Sequence, residues 1–551
     1  MQISRRDLLR SSAAVAGGVT LGGLGLADAA VAGTVPLAPT TRKRVYLKGE
    51  PDATGWRPVV EGPGEPYVVR SLGAKPQAGR GKRRKPLLAF AQLSDVHIVD
   101  SQSPGRVDYL DRNDDDMDGD GQNDGHGIYK SAWRPQEILG AHVADAMVRQ
   151  INQIRRGPVT GKPLAFAIQT GDNSDNSQYN EVRWNIEVLD GAEVRADSGD
   201  LTRFEGAMDG TPEYYDVRYW HPEGTPEGLE DDRPRSMFGF PVVPGLLDAA
   251  RAPFQAEGLA MPWYTAFGNH DALRQGNFVW DQAFEDRATG DTKQITPNVY
   301  RTVTPDPDRR PLSKKEWIEE HFTTNSATAP GPVGHGFKQH NRETGLGYYY
   351  FDAGLVRFIV LDTVNPNGNQ NGSIDPTQFS WLQSVLKKSS KKLVVVASHH
   401  TLSTMTNGYT GSAQPGPRVL GEYILGELVE HDNVIAWVNG HTHTNHIWPQ
   451  QVKGKPGRFW EINTASHIDW PQQARLIEVA DNRDGTISIF TTLLDHAGPA
   501  EWSGAIDDPV QLAALSRELA ANDWQEQGSD RRGTTGSRNT ELVLRAPKFL
   551  R

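Results

Sequence analysis

The chain has 551 residues, 37% hydrophobic and 23% charged, a globular composition with ample apolar mass for a core. It contains no cysteine, which excludes disulfides, thiolate nucleophiles and Cys-ligated zinc. Its 58 basic against 69 acidic residues give a net charge of -11, so nucleic acid is not an expected partner.

At the N-terminus, Arg5-Arg6 precede Leu8-Leu9 and a weakly hydrophobic Ala/Gly stretch from Ala13 to about Ala27. Ala30-Val31-Ala32 reads as a cleavage site, with Ala27-Asp28-Ala29 as the alternative. Residues 1–32 thus resemble a twin-arginine (Tat) signal. The expectation is export through the Tat translocon to the periplasm, cell wall or exterior, with no stable membrane insertion after cleavage. The stretch is too short and glycine-rich for a span, which needs about 20 apolar residues.

Residues 33–86 are rich in Pro, Gly and basic side chains and read as an extended lead-in with one or two strands. From residue 87, short apolar runs appear at Leu87–Leu93, Leu164–Gln169, Trp263–Phe267, Leu355–Leu361, Leu393–Ser398 and Val434–Asn439. Their length and Val/Ile/Phe content predict buried strands. Ile138, Leu139, Val143, Met147, Ile151 and Ile154 share one face of a predicted helix over 136–155. Asp375 followed by Pro376 and Gln378 marks the start of another, over 375–388. Strands at Phe459–Asn463, Arg475–Val479 and Thr486–Leu493 follow, then a helix at about 507–522 and a final short strand in a 501–551 tail. The main domain is expected over 87–500, with long insertions at 176–262 and 272–347. The insertions carry Tyr214, Tyr215, Tyr219, Trp220 and a Tyr348-Tyr349-Tyr350 run, and are expected to shape a partly enclosed pocket.

Polar clusters stand at the ends of the apolar runs, where α/β sheets place their ligands. Asp95-Val96-His97 follows the first run, and His441-Thr442-His443 follows Val434–Asn439. Side chains two apart on an extended segment would point the same way and could share a metal. Gly171-Asp172-Asn173-Ser174-Asp175, Gly268-Asn269-His270-Asp271 and Ser398-His399-His400 complete the series. A single such motif is weak, and His142 or His321 alone reads as an ordinary histidine. Five clusters in order, all of metal-ligand residue types, are specific.

This ordered set, D-x-H, G-D-x-x-D, G-N-H-D, a strand-end His and G-H-x-H, resembles the calcineurin-like metallophosphoesterases over roughly residues 87–480. The resemblance implies a four-layer α/β/β/α sandwich with two mixed sheets and long insertions. It implies that Asp95, His97, Asp172 and His443 hold one metal and that Asp172, Asn269, His399 and His441 hold the other. His270 would contact the substrate phosphate, and Asp175 would orient His270. His399 comes first off its strand, and His400 is the alternative. Position 175 is Asp, not the Tyr of purple acid phosphatases, and the gap from Asp172 to Asn269 is longer than in many members. Mixed O/N ligation suits Mn, Fe or Zn. Two such metals can supply a bridging hydroxide and clamp phosphoryl oxygens.

The expected activity is therefore hydrolysis of a small phosphate ester, diester or monoester. A non-catalytic metal-binding cell-surface protein and an extracellular nuclease are the alternatives. Separately, Asp116, Asp118, Asp120 and Asp124 follow the D-x-D-x-D-G-x-x-D spacing of calcium loops, with Gly127 where an EF-hand has Glu. This predicts a structural calcium site or an exposed acidic loop.

Overall fold

The computed structural model describes residues 39–113, 129, 131–296, 298–526 and 530–551. The signal-like segment and the acidic 116–124 loop lie outside the described residues.

Two mixed sheets form the centre. The seven-stranded sheet runs Val68–Leu72, Thr540–Arg545, Thr486–Asp495, Gln473–Asp481, Lys85–Leu93, Ala167–Gln169, Trp263–Thr265. The six-stranded sheet runs Tyr349–Ala353, Val356–Val360, Leu393–Ala397, Val434–Asn439, Arg458–Asn463, His446–Gln451. Phe90, Phe166, Ile168, Phe358, Val360, Val395, Val438 and Leu476 belong to one buried apolar cluster that joins the sheets. Two mixed sheets around a shared apolar core are the arrangement that the motif order implied.

Each sheet has a parallel part. Lys85–Leu93, Ala167–Gln169 and Trp263–Thr265 run together in one, and Val356–Val360, Leu393–Ala397, Val434–Asn439 and Arg458–Asn463 in the other. All their C-terminal ends therefore face one rim, and the five polar clusters lie on it. The run at 164–169 yields a strand only over Ala167–Gln169, because register with Ala91–Leu93 begins there. The strands His446–Gln451 and Tyr349–Ala353 were not read from the sequence as strands. They are edge strands with mixed burial, carrying Pro449 and Asp352, so neither shows the apolar run that marks a central strand.

The helix expected at 136–155 is a 3₁₀ turn, Glu137–Leu139, continued by an α-helix, Gly140–Ile154. Asp375 caps Pro376–Lys388 by accepting from the Gln378 N–H at 2.9 Å. Elements on both sides of 87–500 join the central structure. Val68–Leu72 and Thr540–Arg545 pair in parallel within the seven-stranded sheet, and the helix Pro509–Asn522 is largely buried. Their membership rests on pairing across more than 450 positions, which no local pattern records.

The first insertion builds a second core. Tyr219, Trp220, Phe240, Leu246 and Leu247 pack with Trp133 and with Leu512, Leu515 and Leu519 of the C-terminal helix. Trp220 and Tyr219 are thus filling a core, contrary to the expectation that they line a pocket. In the second insertion, His335 stacks on Trp263 with ring centroids 3.4 Å apart, and His321 Nδ1 lies 2.8 Å from the Trp317 carbonyl. No helix among the described residues is long and apolar enough to cross a membrane.

His142, on the helix Gly140–Ile154, is 1% exposed and stacks on Phe254. Burial pushes it down to about 4, below the roughly 6.5 of an unfolded chain. Its contribution to stability is therefore complete above pH ~6.5 and lost as pH falls toward ~4. His142→Leu is expected to lose less stability than wild type between pH 7 and pH 4.5 in urea unfolding. An equal loss in both would contradict this assignment.

Candidate metal centre

The first polar cluster leaves its strand sharply. Asp95 and His97 have φ of 50° and 47°, in the left-handed region. Asp172, His441 and His443 share that conformation, at 51°, 71° and 55°. The shared direction of Asp95 and His97, and of His441 and His443, therefore comes from left-handed turns, not from the alternation of an extended segment. Each such turn costs on the order of 1–2 kcal/mol for a residue with a Cβ. Long-range hydrogen bonds hold them. Asp95 N–H donates to Gly171 O at 3.1 Å, His97 N–H to Asp172 O at 3.0 Å, and His467 N–H to Asp95 O at 3.0 Å.

The glycines of the motifs make room for ligand side chains. A Cβ on Gly440 would lie 1.9 Å from Ser94 Oγ and 2.2 Å from Asp95 Oδ2. One on Gly268 would lie 2.2 Å from the Asp172 N and Oδ1 atoms.

The ligand-type atoms converge. Asp95, His97 and His443 place one each within 4.8 Å of one another, as do Asp95, Asp172 and His399. Asp172 Oδ2 is 3.0 Å from His399 Nε2 and 3.9 Å from His97 Nε2. His441 Nδ1 is 3.1 Å from His399 Nε2, and His443 Nε2 is 3.3 Å from both His97 Nε2 and Asp95 Oδ1. Asn269 donates from Nδ2 to Gly276 O at 3.1 Å. Its buried Oδ1 has no hydrogen-bond donor among the described residues, a costly state unless a cation takes that lone pair.

His399 and His400 differ in what their rings meet. His400 has Nδ1 against Thr363 Oγ1 and Nε2 against Gln370 O, both at 2.8 Å. His399 uses only Nδ1 for the fold, against Thr170 O at 3.0 Å, and turns Nε2 toward Asp172.

The Asp175 carboxylate meets two histidines, His270 as expected and also His97. Its Oδ1 is 3.0 Å from His97 Nδ1 but 3.4 Å from His270 Nδ1. The nearer acceptor for His270 Nδ1 is the Asp175 backbone carbonyl, at 2.8 Å. The carboxylate thus backs His97 first and His270 second. Burial pushes Asp175 up, but bonds from His270, His97 and Arg106 outweigh it and hold it well below the usual carboxylate range.

The electrostatics call for positive charge. Burial lowers His399 and His270, yet Asp172 and the other carboxylates lift both to about 9. Metal cations in the same space would oppose that lift and satisfy the same carboxylates. The donor set is oxygen and imidazole nitrogen from both sheets, and with the orphaned Asn269 Oδ1 it fits a pair of transition metals.

Residues 244–445 match the family model for the calcineurin-like phosphoesterases. That stretch is similar to a calcineurin-like phosphoesterase domain. Asp95, His97 and Asp172 precede the matched stretch of that domain, and the fold brings them to its rim. Among solved structures, a dimetal phosphatase from Danio rerio is 13% identical, with TM-score 0.33, covering 75% of this chain and 100% of its own. A purple acid phosphatase from yellow lupin seeds is 9% identical, with TM-score 0.28, covering 79% and 53%. A calcineurin-like phosphoesterase from Bacillus subtilis is 11% identical, with TM-score 0.24, covering 79% and 98%. No curated protein matches the sequence.

Several residues of the site were not read from the sequence. Asp271 lies inside the G-N-H-D quartet, which was its only signal. Its carboxylate accepts from the N–H groups of Gly268, Asn173 and Ser174 at 2.9–3.0 Å and ties the second and third motifs together. Asp469 is 2.6 Å from His443 Nδ1. Arg106 and Arg134 pair with Asp175 and Asp469 at 3.0 and 2.7 Å. No spacing or glycine frame marks these last three.

Gly440→Ala is expected to cost about 1–3 kcal/mol, since the rim is already full. Gly426→Ala, on the helix Gly421–Leu428 where a Cβ would meet open space, is expected to gain about 0.5–1 kcal/mol. Urea unfolding of the two variants side by side checks this, and equal effects would contradict it.

Proposed function

We propose that this chain is an exported, metal-dependent hydrolase of a phosphate ester, acting at a dinuclear centre. The observation that carries the reading is Asp172, whose Oδ2 lies between His399 Nε2 at 3.0 Å and His97 Nε2 at 3.9 Å. One carboxylate faces both groups of ligands, the arrangement that a shared ligand of two cations needs.

In this reading Asp95, His97, Asp172 and His443 hold one metal, and Asp172, Asn269, His399 and His441 hold the other, as Mn, Fe or Zn. Bound there, the metals would supply Lewis acidity to the phosphoryl group and to the attacking water. The chain supplies the rest. His270 is tied through Nδ1 to the Asp175 carbonyl, so Nδ1 carries the proton of that bond and Nε2 is the atom free to give a proton to the leaving oxygen. Asp175 sets the His97 tautomer, which leaves Nε2 of that ring as the ligand atom. Export rests on the twin-arginine segment, and the substrate is a small monoester or diester outside the cytoplasm.

Asp172→Ala is expected to lose metal and activity together, measured by metal analysis and by hydrolysis of a panel of aryl monoesters, diesters, nucleotides and phospholipid headgroups. Retained activity would sink the mechanism. His270→Ala should keep its metals and slow kcat by about 10²–10⁴-fold, and unchanged turnover would remove its role.

A further inference from the structure

The two groups of ligands are backed unequally. His97 Nδ1–H donates to Asp175 Oδ1 at 3.0 Å, and Asp175 Oδ2 accepts from Arg106 at 3.0 Å. His443 repeats the pattern. Its Nδ1–H donates to Asp469 Oδ2 at 2.6 Å, and Asp469 Oδ1 lies 2.7 Å from Arg134 Nε. Arg531 adds a longer contact to Asp469 at 3.7 Å. The two arginines are themselves joined through Glu137, which accepts from Arg106 at 2.8 Å and from the Arg134 N–H at 3.1 Å. Asp469, Asp175, Arg106 and Arg134 are all buried.

Among the described residues, no carboxylate–arginine pair backs the other group. His399 Nδ1–H donates to a neutral carbonyl, Thr170 O, and Asn269 is a neutral amide. No carboxylate pairs with the His441 ring among the described residues. A carboxylate on the outer N–H of an imidazole makes its inner nitrogen a stronger donor and fixes its direction. A neutral carbonyl fixes direction with less gain in donor strength. The His97/His443 side therefore has two carboxylate-backed imidazoles and Asp95, against one carbonyl-backed imidazole, one without a carboxylate and an amide.

We propose that Asp469 is the positioning residue of His443, and that with Asp175 it makes the Asp95/His97/His443 position the tighter of two unequal metal sites. This rests on the proposed dinuclear centre.

The test is a cobalt titration of the chelator-stripped full chain, followed by visible absorption. Wild type is expected to fill two positions in two resolved steps. Asp469→Asn keeps an acceptor for His443 but removes the charge. It should weaken the tighter step about 10- to 100-fold and leave the weaker one unchanged, and Asp469→Glu should restore most of the loss. Arg134→Met, which keeps the His443–Asp469 bond, should weaken the same step by less, and decides the matter if the Asn variant does not fold. Two equivalent steps in wild type, or equal weakening of both steps in the variants, would overturn the assignment. A wild-type chain that takes up no cobalt would sink the dinuclear centre itself, and the assignment with it.

Discussion

Asp172 and His399 come from different sheets and meet at 3.0 Å. The rest of the site depends on that meeting. It requires the parallel parts of both sheets to end on one rim, and it requires Gly171 and Gly268 to leave the space that the Asp172 and His399 side chains fill. The result is a buried concentration of carboxylates and imidazoles. Buried charge of that kind is costly unless it is paired. The rim supplies arginines for the outer carboxylates and leaves the inner ones facing each other's imidazoles. Those inner groups are the ones whose chemistry asks for cations.

The second constraint is backbone strain. Five ligand-type residues adopt left-handed conformations that side chains normally avoid. Such strain persists only where the surroundings over-determine it. Here the D-x-H turn is pinned by main-chain bonds to Gly171, to Asp172 and to His467. Asp271 then fastens the G-D-x-x-D loop to the G-N-H-D loop with one carboxylate. The fold's own hydrogen bonds thus set the positions of the ligand-type side chains.

The insertions serve the scaffold as much as the site. The first encloses a Trp- and Tyr-rich core of its own and is sealed by the C-terminal helix. The second stacks His335 on Trp263 at the edge of the seven-stranded sheet. Aromatic content alone could not distinguish a core from a pocket, because both bury rings.

Much of this was legible in the sequence. Central strands announce themselves as apolar runs because both faces are buried, and Val434–Asn439 kept the predicted bounds. Asp375, Pro376 and Gln378 set a helix start through local hydrogen bonding alone. The residue types of the five motifs were readable because metal chemistry restricts the choice of donor. What the tertiary structure decided is everything that depends on distance in space. It joined residues 68–72 to 540–545, set His400 apart from His399 by giving both its nitrogens partners, turned Asp175 toward His97, and brought Asp469 and Arg134 behind His443. These arise from packing and long-range hydrogen bonds between segments hundreds of residues apart, and no local spacing encodes such a contact.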